Sequence, residues 1–240
     1  MEVGISVGLS GQIATEQRLT SIAQNVANSR TVGFRATEIR FDEMLKKADD
    51  AQISMVSEGQ EFISSRTGGL EKTGNTLDFA IAGDAWFSVQ TDAGNVMTKD
   101  GRFTVNTVGA LTTLSGNPVL DAGGAPIQLD PTGGPVQVGT DGSIVQNNKQ
   151  VGGLGLYAFQ PGLDFVRYGE SAFVSNETVE PIVDQNDVGV MQGYVEQSNV
   201  NPIQEITRLI TVQRGFEQNA AVMEKSEDSL QRLIQALNRG

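Results

Sequence analysis

The sequence contains no cysteine and no histidine among its 240 residues. Their absence excludes a Ser-His-Asp triad, a cysteine nucleophile, a zinc site built from these residues and any disulfide. An enzyme of this composition would have to use carboxylates, lysine or tyrosine. Carboxylate pairs such as Asp49 and Asp50 could act on a glycan, but the acidic residues show no convergent pattern, and a solvated loop fits them better. We therefore predict no catalytic residues, no metal site and no cofactor.

Basic residues and long apolar runs are also scarce. The first basic residue is Arg18, and no segment has the length and apolar character of a signal peptide or a membrane-spanning helix. The chain has 17 basic and 29 acidic side chains, and its one basic cluster is Lys46 with Lys47. Because phosphate binding needs a basic surface, this balance argues against a nucleic-acid partner. We also expect no small-molecule substrate.

A long helix is predicted near the carboxyl end, where apolar residues recur at alternating steps of three and four after Asn201. This spacing is typical of a heptad seam. Asn201 can cap the helix and Pro202 suits its first position, so we predict a helix over 202–238, roughly 55 Å long. The predicted seam residues of this helix are Ile206, Leu209, Phe216, Met223, Leu230, Ile234 and Leu237.

The amino end shows a shorter and weaker version of the same pattern. A helix should end near Asn28, because turn residues follow up to Gly33, a natural left-handed position. A helix with a seam at each end predicts a coiled coil. Periodicity alone does not separate a seam offered to neighbouring subunits from a helical hairpin packed on its own domain. The predicted seam residues of the first helix are Ile5, Leu9, Leu19, Ile22 and Val26.

Between the helices the apolar period changes from 3.6 to 2, which predicts antiparallel β structure. Strand-like alternation around Phe79 and Phe87 leads into a turn at residues 92–95. A second hairpin is predicted across Asp100-Gly101, with strands at 96–99 and 102–106. Glycine-rich turns continue at intervals to about residue 180, so the 28 glycines are explained as turn content.

These patterns predict an α+β protein in three parts. Residues 1–35 and 193–240 form a terminal helical coiled-coil domain, 36–72 an extended connector, and 73–192 a β-rich outer domain. Residues 36–192, the connector and outer domain together, carry the whole net charge of −12, whereas the two ends are nearly neutral. Neutral ends can associate closely while an acidic centre faces water.

Three blocks of the sequence resemble the signature regions of bacterial flagellar rod and hook proteins. They lie within residues 18–35, 73–103 and 198–219, and they occur in the order expected for that family. Together with the segments between them they cover most of the chain. The residues that match the family motifs and that we assign as motif residues are Asn25, Asn28, Gly33, Phe34, Ser198, Asn199, Val200, Gln213 and Arg214.

The resemblance implies a structural protein without enzymatic activity. Family members pair their terminal helices into an inner coiled coil and build a tubular axle through head-to-tail contacts that do not close on a ring. The implied partners are copies of this chain, other rod proteins and, in transit, the flagellar type III export apparatus. The implied location is the basal body, across the periplasm. Residues 8–12 and 34–36, with the overall length, favour a subunit of the proximal rod.

Other interpretations stay open at this point. A distal rod or hook-type axial protein is the nearest alternative within the family. Outside the family, a coiled-coil adaptor would form a small closed oligomer, and a carboxylate-dependent cell-wall hydrolase would bind oligosaccharide. We also expect the termini of an isolated subunit to lack stable structure, because a long apolar stripe without a partner stays unburied.

Overall fold

The computed structural model describes residues 2–48, 51–57, 59–175, 179–182 and 187–237. Two helices and many antiparallel strands within these residues confirm the predicted α+β class. Helix α1 spans Glu2–Ala27 and helix α2 spans Pro202–Leu237, close to the predicted ends. Asn201 caps α2, since its Oδ1 accepts hydrogen bonds from the amides of Ile203 and Gln204. Neither helix is long and apolar enough, over its described residues, to cross a membrane.

The strands are short and lie between the two helices. They are β1 (Thr37–Arg40), β2 (Glu43–Ala48), β3 (Ala51–Val56), β4 (Gln60–Ile63), β5 (Leu70–Lys72), β6 (Phe79–Ala82), β7 (Trp86–Thr91), β8 (Gly94–Thr98), β9 (Phe103–Val105), β10 (Leu111–Thr113), β11 (Gln137–Val138), β12 (Ser143–Gln146), β13 (Lys149–Gly153), β14 (Leu156–Tyr157), β15 (Val166–Tyr168), β16 (Ala172–Val174), β17 (Gly189–Gln192) and β18 (Tyr194–Glu196).

The chain divides into two compact units. The helical unit comprises Met1–Ala27, Thr37–Phe62 and Asn201–Gly240, and the β unit comprises Asn28–Ala36 and Ile63–Val200. In the helical unit α1 contacts α2, β1 and β3, while β2 and β3 form an antiparallel hairpin. The sequence-based division into a terminal helical domain, an extended connector and an outer β-rich domain stays a prediction.

The β unit is built around a five-stranded antiparallel sheet in the order β14-β7-β8-β16-β15. Strands β7 and β8 form the hairpin predicted at residues 92–95, with Thr91 opposite Gly94 at its closed end. A three-stranded sheet, β11-β12-β13, and two-stranded pairs complete the unit. Its main core gathers aromatic and branched side chains from several of these sheets, among them Phe79, Phe87, Phe103, Leu111 and Ile144.

The predicted hairpin across Asp100-Gly101 is wrong. Strand β8 pairs with β7 and β16, while β9 pairs with β10. Gly101 does not adopt the positive φ of a type I′ turn. Instead its carbonyl accepts a hydrogen bond from the Phe79 amide, and a Cβ at Gly101 would overlap the Phe79 carbonyl. Glycine is therefore needed here for a close approach of two backbone segments and not for a tight turn.

Candidate assembly interface

One face of α2 is half-buried within the helical unit. Leu209, Val212, Phe216 and Met223 repeat at steps of three, four and seven and are all half-buried. The approach of α1 is close, because a Cβ at Gly8 would overlap Met223 Sδ. Three of the predicted seam residues, Leu209, Phe216 and Met223, thus lie on a face that the chain covers in part itself.

Helix α1 also turns one face inward. Ala14 and Ile22 are buried, and Leu19 and Val26 are half-buried on the same side. The predicted seam residues Leu19, Ile22 and Val26 therefore contribute to packing within the unit. Leu9 differs from them, because it is exposed together with Ile13, four residues further along the opposite face.

A second apolar face of α2 remains in water. Ile203, Ile206 and Ile210 follow one another at steps of three and four, which places them on one side of the helix. Their exposed fractions are 76%, 44% and 46%. We call these three residues the isoleucine stripe. Ile206 was predicted in the same seam as Leu209; the structure leaves Ile206 exposed, whereas Leu209, one turn further along, is half-buried.

Four other predicted seam residues cannot be placed in this way. The side chains of Ile5, Leu230, Ile234 and Leu237 lie outside the described residues, although all four positions belong to α1 or α2. Their assignment to an assembly seam stays a prediction.

The motif residue Asn25 anchors β1 to α1. Its Oδ1 accepts a hydrogen bond from the Thr37 amide at 3.0 Å, and its Nδ2 donates to the Thr37 carbonyl at 2.9 Å. Ser21 Oγ donates to the same carbonyl. Asn25, Ser21 and Thr37 are all buried. The side-chain amide of Asn25 therefore takes the place of water as the hydrogen-bond partner of both the N–H and the C=O of Thr37. Asn25 thereby fixes where the chain begins β1.

Asn28 and Gly33 shape the turn that follows α1. Asn28 is buried, and its Oδ1 accepts a hydrogen bond from Thr31 Oγ1. Gly33 has a φ of 71°, as predicted for this position, and a Cβ there would overlap the backbone of Lys99 and Asp100. Its amide donates to the Glu196 carbonyl at 2.8 Å. Only glycine meets both requirements at position 33.

Phe34, Asn199 and Val200 form one packed corner of the β unit. Phe34 is fully buried and clusters with Ala36 and Val200. Asn199 holds this segment in place, since its Oδ1 accepts from the Ala36 amide and its Nδ2 donates to the Arg66 carbonyl, both at 2.8 Å. Ser198 Oγ accepts from the Val200 amide. These motif residues therefore organise the fold locally.

Gln213 and Arg214 behave differently from the other motif residues. Both are exposed on α2. Gln213 Nε2 donates to Glu217 Oε1 one turn further along, a surface contact that adds little stability. The fold of this chain does not depend on these two side chains, and they are available to a neighbouring molecule.

Sequence reasoning missed a buried ionic cluster in the β unit. Arg35 Nη2 lies 2.7 Å from Glu196 Oε1, and Lys99 Nζ lies 3.9 Å from Glu196 Oε2. Arg35 Nη1 also donates to the Arg66 carbonyl. Burial lowers the pKa of Lys99 to about 8, with Glu196 opposing the shift, and it lowers the pKa of Arg35. In the sequence, no pattern of neighbouring residues distinguishes Lys99 or Glu196 from exposed charged residues.

Arg167 is a second residue that the sequence did not reveal. Its guanidinium lies 4.7 Å from the centre of the Phe34 ring and 4.8 Å from that of Phe173. Its Nη2 donates to the Arg35 carbonyl at 2.6 Å. Arg167 thus holds the backbone next to the motif residue Phe34. Within the described residues, no group of three or more acidic side chains is placed to hold a metal ion.

Comparison with known proteins gives matches in both units. The family model described as "Flagellar hook protein FlgE/F/G D1 domain" matches residues 80–146. The model described as "Flagellar basal body rod FlgEFG protein C-terminal" matches residues 191–236. The second match contains Ser198, Asn199, Val200, Gln213 and Arg214, the carboxyl-terminal motif residues.

Relatives at full length are similar over nearly the whole chain. The flagellar basal-body rod protein FlgF of Mesorhizobium japonicum is 53% identical over 237 residues, which cover 99% of this chain and 98% of the relative. FlgF of Rhizobium meliloti is 51% identical with the same coverage. The flagellar basal-body rod protein FlgG of Bacillus subtilis is 30% identical over 255 residues, covering 95% of this chain and 96% of the relative.

Proposed function

The chain belongs to the family of flagellar basal-body rod proteins, and from this membership we propose that it is a structural subunit of the proximal rod. It acts within the flagellar basal body, in the axle that transmits torque for motility. Identity of 51–53% to FlgF proteins, against 30% to an FlgG protein, supports the proximal assignment over a distal rod subunit. The relatives are named as rod components, which supports a role without catalysis.

The isoleucine stripe is the observation that carries the mechanism. Burying an isoleucine side chain contributes about 1.5–3 kcal/mol to binding. A row of three isoleucines along one helix can therefore stabilise a contact that is repeated between subunits. Neighbouring subunits cover the stripe. A contact between different surfaces of successive copies does not close on itself and generates a filament. The exposed pair Leu9 and Ile13 offers α1 for the same kind of contact.

In this mechanism the terminal helices form the inner wall of the rod as a coiled coil. The half-buried face of α2, with Leu209, Phe216 and Met223, holds α1 and α2 together, while the isoleucine stripe meets the next subunit. The predicted seam residues Leu230, Ile234 and Leu237 follow Met223 at heptad spacing, and their contact with neighbouring subunits is part of the same proposal. Other rod and hook proteins are the axial neighbours, and the flagellar type III export apparatus delivers the chain across the membrane without cleavage.

A paired substitution tests this function. Ile206→Asp places a charge on the stripe, and its control, Thr211→Asp, places the same charge on an exposed position away from the stripe. Each variant replaces the chromosomal copy, and we expect Ile206→Asp to abolish swimming while Thr211→Asp retains it. Both purified variants should keep the helical circular dichroism of the parent. Normal rods in cells that carry Ile206→Asp would contradict the proposal.

The alternatives outside the family gain no support. A cell-wall hydrolase would need paired carboxylates, and the pair Asp49 and Asp50 lies outside the described residues. A closed coiled-coil adaptor would not share nearly its full length with rod proteins. We therefore retain the rod subunit alone.

A further inference from the structure

The β unit contains a cavity that its role in assembly does not use. The cavity has a volume of about 290 Å³, many times the roughly 30 Å³ that one water occupies in the liquid. Arg35, Ser64, Ser65, Asp84 and Trp86 contribute its polar wall. The remaining lining residues are the apolar Ile63, Phe159 and Pro161 and the exposed, polar Gln160.

Hydrogen-bond donors at this cavity lack acceptors. Arg35 and Trp86 are only 3% and 4% exposed, and neither Arg35 Nε nor Trp86 Nε1 has a hydrogen-bond partner within the described part of the chain. Leaving a buried N–H unpaired is costly, so such groups normally find an acceptor. Both side chains border the same cavity, which points to a ligand that brings oxygen acceptors.

Among the buried groups behind the cavity wall, positive charge is in excess. Lys99, which is 1% exposed, lies 5.3 Å from the centre of the Trp86 ring. Its Nζ donates one hydrogen bond, to the Gly83 carbonyl at 3.3 Å. Arg35 and Lys99 therefore face a single buried carboxylate, that of Glu196. Asp84 also attracts both cations, but it is exposed, so water weakens its effect.

We propose that this cavity binds a carboxylate group. A carboxylate has only acceptors, supplies a second anion beside the buried Glu196, and pairs with a guanidinium more strongly than a neutral carbonyl does. The group comes either from a small organic acid or from an Asp or Glu side chain of a second copy of this chain. The second source rests on the proposed assembly, whereas the first does not.

The probe for this site is acetate, and the reporter is already in the chain. Trp86 is the sole tryptophan, so its fluorescence reports on the cavity wall directly. The full chain is titrated with sodium acetate against sodium chloride at equal ionic strength and constant pH. We expect a saturable change in Trp86 fluorescence with acetate that chloride does not produce. A linear response, or one that chloride reproduces, overturns the proposal.

Two exposed residues of the wall supply matched variants. Ser65→Leu fills the cavity without changing its charge and should abolish the saturable response. Asp84→Asn removes the competing carboxylate and should tighten acetate binding at least threefold. Either an unchanged midpoint in Asp84→Asn or a parental response in Ser65→Leu would overturn the proposal, so the test holds even if one variant folds poorly.

The source of the carboxylate is decided by sedimentation velocity. If a second copy supplies it, saturating acetate shifts the chain toward monomer, and Ser65→Leu does the same without acetate. If a small acid supplies it, sedimentation is unchanged while the fluorescence still saturates. Because the fluorescence titration needs no assembly, a failure of the rod proposal would leave it intact, and the two proposals fail separately.

Discussion

The two units treat their apolar side chains differently. The β unit buries its large aromatic residues in cores shared by several strands, and it buries charges as well. The helical unit keeps isoleucines in water along one face of α2 while another face is half-covered. An exposed apolar row is normally a sign of an interaction surface. The β unit is stabilised by its own contacts, and the difference supports the proposal that neighbouring subunits complete the helical unit.

The largest expected difference in stability is between a substitution in the core of the β unit and one in the isoleucine stripe. Phe87→Ala should lower the free energy of unfolding of the β unit by about 3–5 kcal/mol, because it empties a fully buried position. Ile206→Ala should change stability by less than about 0.5 kcal/mol, since the side chain is exposed. Denaturant unfolding followed by Trp86 fluorescence measures the first, and circular dichroism the second. A destabilisation of similar size in both would remove the contrast.

Glu196→Gln tests the buried ionic cluster. It leaves Arg35 and Lys99 buried as two cations without an anion, and breaking a buried pair in this way costs about 3 kcal/mol. Glu170→Gln, at an exposed position, is the matched control and should leave the free energy of unfolding unchanged. Unfolding curves for the two variants give the comparison. Equal midpoints would mean that the cluster contributes nothing to the β unit.

Lys99→Met tests the pH dependence of that cluster. In the parent, burial lowers the pKa of Lys99 from 10.5 to about 8, so above pH 8 the unfolded chain binds more protons than the folded chain. Stability of the β unit should therefore rise between pH 8 and about 10.5, by about 3 kcal/mol. Lys99→Met should lack this rise. Parallel pH profiles for the two proteins would show that Lys99 titrates normally.

Asn25→Ala tests the anchor of β1 in the helical unit. The substitution removes the side-chain acceptor that the buried Thr37 amide has in Asn25, at a cost of about 1–2 kcal/mol. Hydrogen exchange at the Thr37 amide should accelerate accordingly. Asn25→Asp keeps the acceptor and should slow that exchange relative to Asn25→Ala. Unchanged protection of Thr37 in Asn25→Ala would show that the anchor is dispensable.

The smallest effect compares two glycines of α1. Gly11 has open space around it, so Gly11→Ala should stabilise the helix by about 0.8–1 kcal/mol. Gly8→Ala should stabilise the helix less, because the new Cβ would overlap Met223 Sδ and the Met223 side chain would have to shift. Thermal unfolding followed by circular dichroism measures both. Equal gains at the two positions would mean that α1 and α2 do not approach closely at Gly8.

Local signals in the sequence accounted for the carboxyl end of α1, the start of α2, the hairpin at 92–95 and the left-handed Gly33. Each of these depends on neighbouring residues in the chain. The Asp100-Gly101 hairpin failed because residues from a distant segment, around Phe79, compete for the same backbone groups. Arg35, Lys99 and Glu196 could not be found, since their contacts join positions far apart in the sequence. Periodicity identified the apolar positions of α2 but not which of its faces α1 would cover.

Accessibility of the isoleucine stripe in the free and assembled protein tests the central claim most directly. The chain has no cysteine, so Ile206→Cys introduces a single thiol that a maleimide can label without background. We predict rapid labelling of the purified chain and strong protection of the same residue in isolated basal bodies. Equal labelling in both would contradict the account, because position 206 would then remain in water after the rod has formed.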